Sequence, residues 1–152
     1  LLSKKIDYTN MNIIVYCLGG ASKSILDSIK TSGNLFLANR TEAKIEEVIK
    51  KSPNFKNYNG ESLDLVISCA QNLDLNTTKY FEHLNLSQNT LLYDINYSNQ
   101  TNKLFSDLSI VGKNNFYNGI GMLVEQASEC FKLWFNKKPE VEEIKSKLNE
   151  RL

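Results

Sequence analysis

Three stretches of this 152-residue chain carry residue types at spacings that could do chemistry. The first is Cys17-Leu18-Gly19-Gly20-Ala21-Ser22, set between an apolar run and a helical pattern. A pyrophosphate held at a helix N-terminus needs backbone N–H groups aimed at it and no Cβ in the way, which is why glycines gather at such turns. Gly19 and Gly20 meet the second requirement. A Gly-Gly turn also suits an ordinary strand-to-helix loop, so further support must come from elsewhere in the chain. The second stretch, Asn39-Arg40-Thr41, supplies it, 19 residues (39 − 20) beyond Gly20. At that point a carboxylate usually holds a free ribose 2'-hydroxyl, whereas a 2'-phosphate calls for a cation with hydroxyl or amide donors. Asn39, Arg40 and Thr41 are the second set, and Lys44 lies one turn further on, so the pattern predicts NADP over NAD. The plainer reading makes Arg40 a solvated charge and Thr41 a helix cap. The third feature is Gln126, four residues after Met122, three after Leu123 and four before Cys130. Its amide lies beside a face that is otherwise apolar. It either bonds a neighbouring backbone group or projects into a cleft toward a polyhydroxylated ligand.

The elements that must position these residues alternate. "NIIVYCL" has the length and apolar run of a buried strand, and "SILDSIK" sets Ile25 and Ile29 on one helical face. "NLFLA" reads as a second strand, and "TEAKIEEVIKK" as a helix with Thr41 at its N-cap and Ile45, Val48 and Ile49 on one face. "SPNFKNYNG" is too polar for a core strand, whereas "LDLVIS" and "TLLYDI" are buried-strand patterns. Between those two lies an Asn-rich loop with a helical turn. A weak helical segment near 101–108 leads to "LSIVG" and "NNFYNGIG". From Gly121 onward Leu123, Ala127, Cys130, Phe131 and Trp134 draw an apolar stripe along a long helix, and Pro139 opens a last amphipathic one. Such alternation predicts an α/β fold, a Rossmann-like, doubly wound, mostly parallel sheet with helices on both faces. Residues 12–152 would form that domain, with 1–11 an extension or a remnant of a linker.

Composition narrows the partners. With 18 Lys+Arg against 17 Asp+Glu the formal net charge is +1, and no basic block is long enough for a nucleic-acid arm. The cysteines, Cys17, Cys69 and Cys130, lack the paired spacing of a zinc site and have only His83 to help them, so neither a metal nor a disulfide framework is expected. No apolar run reaches the roughly 20 residues that span a bilayer, and "LLSKKIDY" lacks the order of a signal peptide. A cytoplasmic domain is expected, and a start at Leu1 suits a piece of a longer protein.

With these residues assembled, the chain resembles the C-terminal, NADP-binding domain of shikimate dehydrogenases over most of its length. "GGASKS" matches the family's glycine turn, "NRTEAK" its 2'-phosphate loop and "DLVISCA" the strand that ends beside the cofactor. "YDINYSNQT" matches the strand and tyrosine near the substrate, and "NGIGMLVEQASECFKLWFNKKP" the helix that returns to the cleft. The resemblance implies that Gly19, Gly20 and Ala21 line the pyrophosphate, and that Asn39, Arg40, Thr41 and Lys44 hold the 2'-phosphate. It implies that Ser68, Cys69 and Ala70 pass along the ribose and pyrophosphate, that Ile95, Gly119 and Met122 locate the nicotinamide, and that Tyr97 and Gln126 reach the substrate. The implied reaction is reversible hydride transfer between NADPH and 3-dehydroshikimate, giving shikimate. The lysine and aspartate that manage the proton belong, in the family, to a preceding catalytic domain, so no catalytic residue is expected in this chain.

The chain departs from the family pattern at several points. Cys17 and Leu18 stand where a glycine and a small residue are usual; a two-residue deletion would make Gly19 the first glycine instead. "SCAQ" replaces Asn-Ala-Thr-Pro, and Asn99 stands at a common proline position. A rival reading is a degenerate, non-catalytic nucleotide-binding or interaction module. Within the family, a quinate dehydrogenase is the alternative.

Overall fold

The computed structural model describes residues 7–31, 33–71, 75–97, 111–112 and 115–149. Ile13, Ile14 and Val15, at most 1% exposed, are apolar on both faces of the first strand, β1 (Asn12–Tyr16), as a strand sandwiched between helices must be. A tight turn leads to α1 (Gly20–Ile29), followed by β2 (Asn34–Ala38) and α2 (Glu42–Lys51). Then come β3 (Phe55–Asn57), β4 (Leu65–Ser68), α3 (Leu75–Glu82), β5 (Leu91–Asp94) and β6 (Phe116–Tyr117). Two further helices, α4 (Ile120–Phe135) and α5 (Val141–Asn149), follow. The strands form one sheet in the order β3-β2-β1-β4-β5-β6, and every recorded pairing is parallel. This is the doubly wound α/β fold that the alternation predicts.

Alternate residues along each strand feed two apolar layers. Ile13, Val15, Leu35, Leu37, Leu65 and Ile67 pack with Leu26 and Ile29 of α1 and with half-buried Ile45, Val48 and Ile49 of α2. Ile14, Tyr16, Phe36 and Val66 face the other way, onto Phe81 of α3 and Leu84 beyond it. The Tyr16 ring lies 5.0 Å from Tyr80 and 5.2 Å from Phe81, centroid to centroid, and burial pushes the Tyr80 hydroxyl up to about 12.

Three sequence expectations change. The polar "SPNFKNYNG" contains β3, which can be polar because it is an edge strand anchored by one buried side chain, Phe55. The Asn-rich stretch holds a helix of 8 residues, not a single turn. The apolar stripe on α4 is not the buried one: Ile120, Val124 and Ser128, spaced by four, face inward, and Ile120 and Val124 cluster with Val141 of α5. The segment near 101–108 lies outside the described residues. No helix among the described residues is long and apolar enough to cross a membrane.

Candidate functional site

The order of strands reverses between β1 and β4, because the chain builds outward through β2 and β3 and then returns to the other side of β1. The loops leaving such a pair diverge to opposite faces and open a crevice at the strand ends. Cys17 to Gly20 leave β1 at this point, and Cys69 and Ala70 leave β4.

The exit from β1 takes a backbone conformation that suits glycine. Cys17 has φ 71, a left-handed backbone that costs a residue with a Cβ about 1–2 kcal/mol. Glycine favours this conformation, which agrees with the reading that sets Cys17 at the first-glycine position. Its N–H donates to the Ala38 carbonyl at 2.9 Å, which carries the β1–β2 ladder one residue into the turn. Gly19 is the N-cap of α1, without a side-chain cap bond, and no acidic residue stands in the first turn to answer the helix dipole. A Cβ built on Gly19 or Gly20 would meet nothing within 4 Å, so the space over the helix end is open to a ligand. Ala21 continues the exposed first turn, and Ser22, buried beneath it, donates from Oγ to the Gly19 carbonyl at 2.7 Å.

The end of β2 is tied to this turn. Asn39 accepts the Leu18 N–H on Oδ1 at 3.0 Å and donates from Nδ2 to the Thr41 carbonyl at 3.0 Å. Its amide thus sets the distance between the glycine turn and the loop carrying Arg40 and Thr41. Arg40, Thr41 and Lys44 are exposed, and no ion pair engages Arg40 or Lys44 among the described residues. Thr41 holds the N-cap position of α2, as the helix-cap reading expects, and its hydroxyl makes no cap bond.

On the other side of the crevice Ser68 is 1% exposed, and its hydroxyl has no hydrogen-bond partner among the described residues. Cys69 and Ala70 are buried beside it. Burial, then the neighbouring Cys17 and Asp94, pushes the Cys69 thiol up to about 12. Sequence reasoning missed the clamp that follows. Asp94, fully buried at the end of β5, accepts the Asn96 backbone N–H on Oδ1 at 3.2 Å and the Asn96 side-chain amide at 3.0 Å. That amide also donates to the Ala70 carbonyl, tying the exits of β4 and β5 together. The sequence signal was an Asp-X-Asn at a strand end, a pattern that bonds its own backbone two residues on.

Ile95 donates its N–H to the Ser68 carbonyl at 3.0 Å, and its own carbonyl lies against Gly119 so closely that a Cβ there would stand 1.8 Å from it. Gly119 donates back to the Asn96 carbonyl at 2.8 Å. The start of α4 is thereby fixed to the exit of β5, with Met122 (39% exposed) on the first turn and Tyr97 (52% exposed) beyond the clamp. Gln126 is exposed and its side-chain amide makes no hydrogen bond to the described residues, so it is not the backbone-bonded glutamine of the plainer reading. It lines an open apolar trough with Leu123, Ala127, Cys130, Phe131, Trp134 and Phe135. The structure thus gathers Gly19, Gly20, Asn39, Arg40, Ser68, Cys69, Ala70, Ile95 and Gly119 around the strand ends, while Gln126 stands on the trough side of α4. Among the described residues no cluster of three or more His, Cys, Asp or Glu could hold a metal ion.

Residues 119–148 match the family profile of the shikimate 5'-dehydrogenase C-terminal domain. The chain is 28% identical to the shikimate dehydrogenase (NADP(+)) of Alteromonas mediterranea, over 99% of this chain and 57% of that protein. It is 32% identical to the enzyme of the same name from Pasteurella multocida, over 87% of this chain and 53% of that one. The chain therefore spans about half the length of the curated relatives it matches. In fold it is similar to shikimate dehydrogenase from Aquifex aeolicus, with a TM-score of 0.74 at 20% identity over 96% of this chain and 56% of that one. The Thermus thermophilus shikimate 5-dehydrogenase, solved with NADP(H) and shikimate, gives a TM-score of 0.72 at 14% identity over 95% of this chain and 56% of that one. Together, the profile match over residues 119–148 and the similarity along most of the chain make this protein similar to the C-terminal domain of shikimate dehydrogenases.

Proposed function

We propose that this chain is the NADP-binding part of a shikimate dehydrogenase-type oxidoreductase that reversibly reduces 3-dehydroshikimate to shikimate. The observation that carries this reading is the uncapped, unobstructed N-terminus of α1 beside an Arg40 that makes no ion pair among the described residues. An anion at the helix end answers the orphan N–H groups, and a second phosphate on the adenosine answers Arg40, Thr41 and Lys44. The relatives whose names specify NADP(+) support the choice of cofactor. In this reading Asn39 acts mainly as the strut between the two phosphate sites. The buried Ser68 hydroxyl has no partner among the described residues and lies at the strand end nearest the ribose and pyrophosphate, and Ile95 and Gly119, with Met122, would locate the nicotinamide.

When bound, the cofactor supplies the hydride. This chain's residues hold it at the strand ends, while Tyr97 and Gln126 reach toward the hydroxyls of the substrate. Proton transfer falls to the other half of the enzyme, which packs against the exposed apolar face of α4 and closes the cleft. The isolated chain accordingly binds NADP and reduces nothing.

Calorimetric titration with NADP and NAD, repeated on Arg40→Ala, tests this. Removing one charge-assisted phosphate contact is expected to cost about 1.5–3 kcal/mol, roughly tenfold to a hundredfold in NADP affinity, with NAD affinity unchanged. Equal binding of the two nucleotides, or an Arg40→Ala chain that binds NADP as well as the native one, overturns the 2'-phosphate assignment. Failure of both nucleotides to bind, in this chain and joined to its catalytic half, makes the protein a degenerate module.

A further inference from the structure

Cys17 and Cys69 are far apart in sequence, and the fold makes them neighbours. They follow directly on β1 and β4, the strands that flank the crevice. Val15 pairs with Ile67 and Tyr16 with Ser68, and the Cys69 N–H donates to the Tyr16 carbonyl at 2.9 Å. The register therefore continues to set Cys17 opposite Cys69. Cys17 turns out of the strand with a left-handed backbone and touches both apolar layers, and in the layer under α1 it shares one cluster with Cys69. Neighbouring strands run about 4.8 Å apart. That lies inside the roughly 4.4–6.8 Å between Cα atoms that a disulfide spans. Both thiols are free, and the charge of Cys17 is felt at Cys69.

We propose that Cys17 and Cys69 form a reversible disulfide across the exits of β1 and β4 when the chain meets a peroxide. Cys17 is half-buried and opens to the turn, whereas Cys69 is only 6% exposed, so Cys17 meets the oxidant first. It loses its proton, its sulfur attacks one peroxide oxygen, the O–O bond breaks and a sulfenic acid forms, with water as the other product. The Cys69 sulfur then attacks the Cys17 sulfur. The S–O bond breaks, the hydroxide leaves with the Cys69 proton as a second water, and the S–S bond forms. Two thiols are oxidised and one peroxide is reduced to two waters. A thiol reductant reverses the change. The bond pins the two strand exits that hold the phosphate turn and Ser68, so oxidation weakens nucleotide binding. This consequence, unlike the disulfide itself, rests on the cofactor reading above.

The test is to treat the chain with hydrogen peroxide, alkylate it under denaturing conditions and map the modified cysteines by mass spectrometry. The expected result is a chain lighter by two hydrogens, alkylated at Cys130 alone and fully alkylated after dithiothreitol. Cys130→Ser should behave in the same way, while in Cys69→Ser the Cys17 sulfur should gain oxygen and form no intramolecular bond. Alkylation of Cys17 and Cys69 after peroxide, or a bond that involves Cys130, overturns the proposal. NADP affinity of the oxidised chain is expected to fall at least roughly tenfold. An unchanged affinity overturns the regulatory consequence. A chain that shows the disulfide but binds no NADP in either state, alone and joined to its catalytic half, upholds the thiol pair and overturns the cofactor reading.

Discussion

Glycine has two separate uses in this molecule, and they give opposite responses to the same substitution. At Gly119 the Ile95 carbonyl occupies the space a Cβ needs, and the obstruction is backbone, which cannot rotate away. Gly119→Ala is expected to lower stability by about 3 kcal/mol, at the upper end of overpacking costs. At Gly20 no atom stands within 4 Å of a built Cβ, and the residue opens a helix. Gly20→Ala should hold or raise stability, by up to about 1 kcal/mol from helix propensity, while weakening NADP binding through contact with the pyrophosphate. Urea unfolding read beside a titration separates the two effects. A Gly20→Ala chain that binds as the native one does would show that the phosphate lies elsewhere. Cys17 shows a third case. It adopts the left-handed backbone that its position requires even without a glycine, and the strain is borne by a turn bonded on both sides, to Ala38 and to Asn39.

At the scale of elements, α5 is attached to α4 by a small apolar cluster and one ion-pair group. Lys145, with 11% of its side chain exposed, donates to Glu125 at 2.7 Å and to Glu142 at 3.0 Å, and the side chain of Glu125 is 31% exposed. The Lys145 hydrogen bond holds the Glu125 carboxyl below its ordinary value of 4.5, and the Glu125 bond raises Lys145 above 10.5. The carboxylate's contribution is complete above its unfolded value and is lost as pH falls through the lower folded one. The ammonium's contribution is complete below its unfolded value and is lost as pH rises through the higher folded one. The helix pair is therefore held most firmly between about 4.5 and 10.5. Glu125→Gln is expected to cost about 0.5–1 kcal/mol in that window, since Glu142 still accompanies the lysine, and to reduce the loss of stability on acidification. Thermal melts across pH check this, and an unchanged acid limb would count against the pair.

For the whole molecule the informative surface is the outer face of α4, where Leu133, Trp134 and Phe135 are 82%, 76% and 59% exposed. A patch of this kind marks an interaction surface, and under the proposed function it is the face that meets the catalytic half. Trp134 is the sole tryptophan, so its fluorescence reports on this face directly. Emission typical of a solvent-exposed indole is expected from the isolated chain, shifting to the blue when the catalytic half is joined. An unshifted spectrum in the joined protein would place the contact elsewhere. β1, α1, β2, α2, β4, β5, α4 and α5, with the glycine turn and the cationic loop, were legible in the sequence, because each rests on local periodicity or on residues adjacent in the chain. Even Phe55, a lone buried anchor in a polar stretch, was too short a signal for an edge strand. What the tertiary structure alone decided depends on strands distant in sequence lying side by side. It decided that Asn39 braces the turn, that Asn96 ties two strand exits together and that Cys17 and Cys69 share one apolar cluster. It also decided which of the two apolar stripes on α4 is buried, since periodicity reports that a face is apolar, while only packing determines whether something covers it.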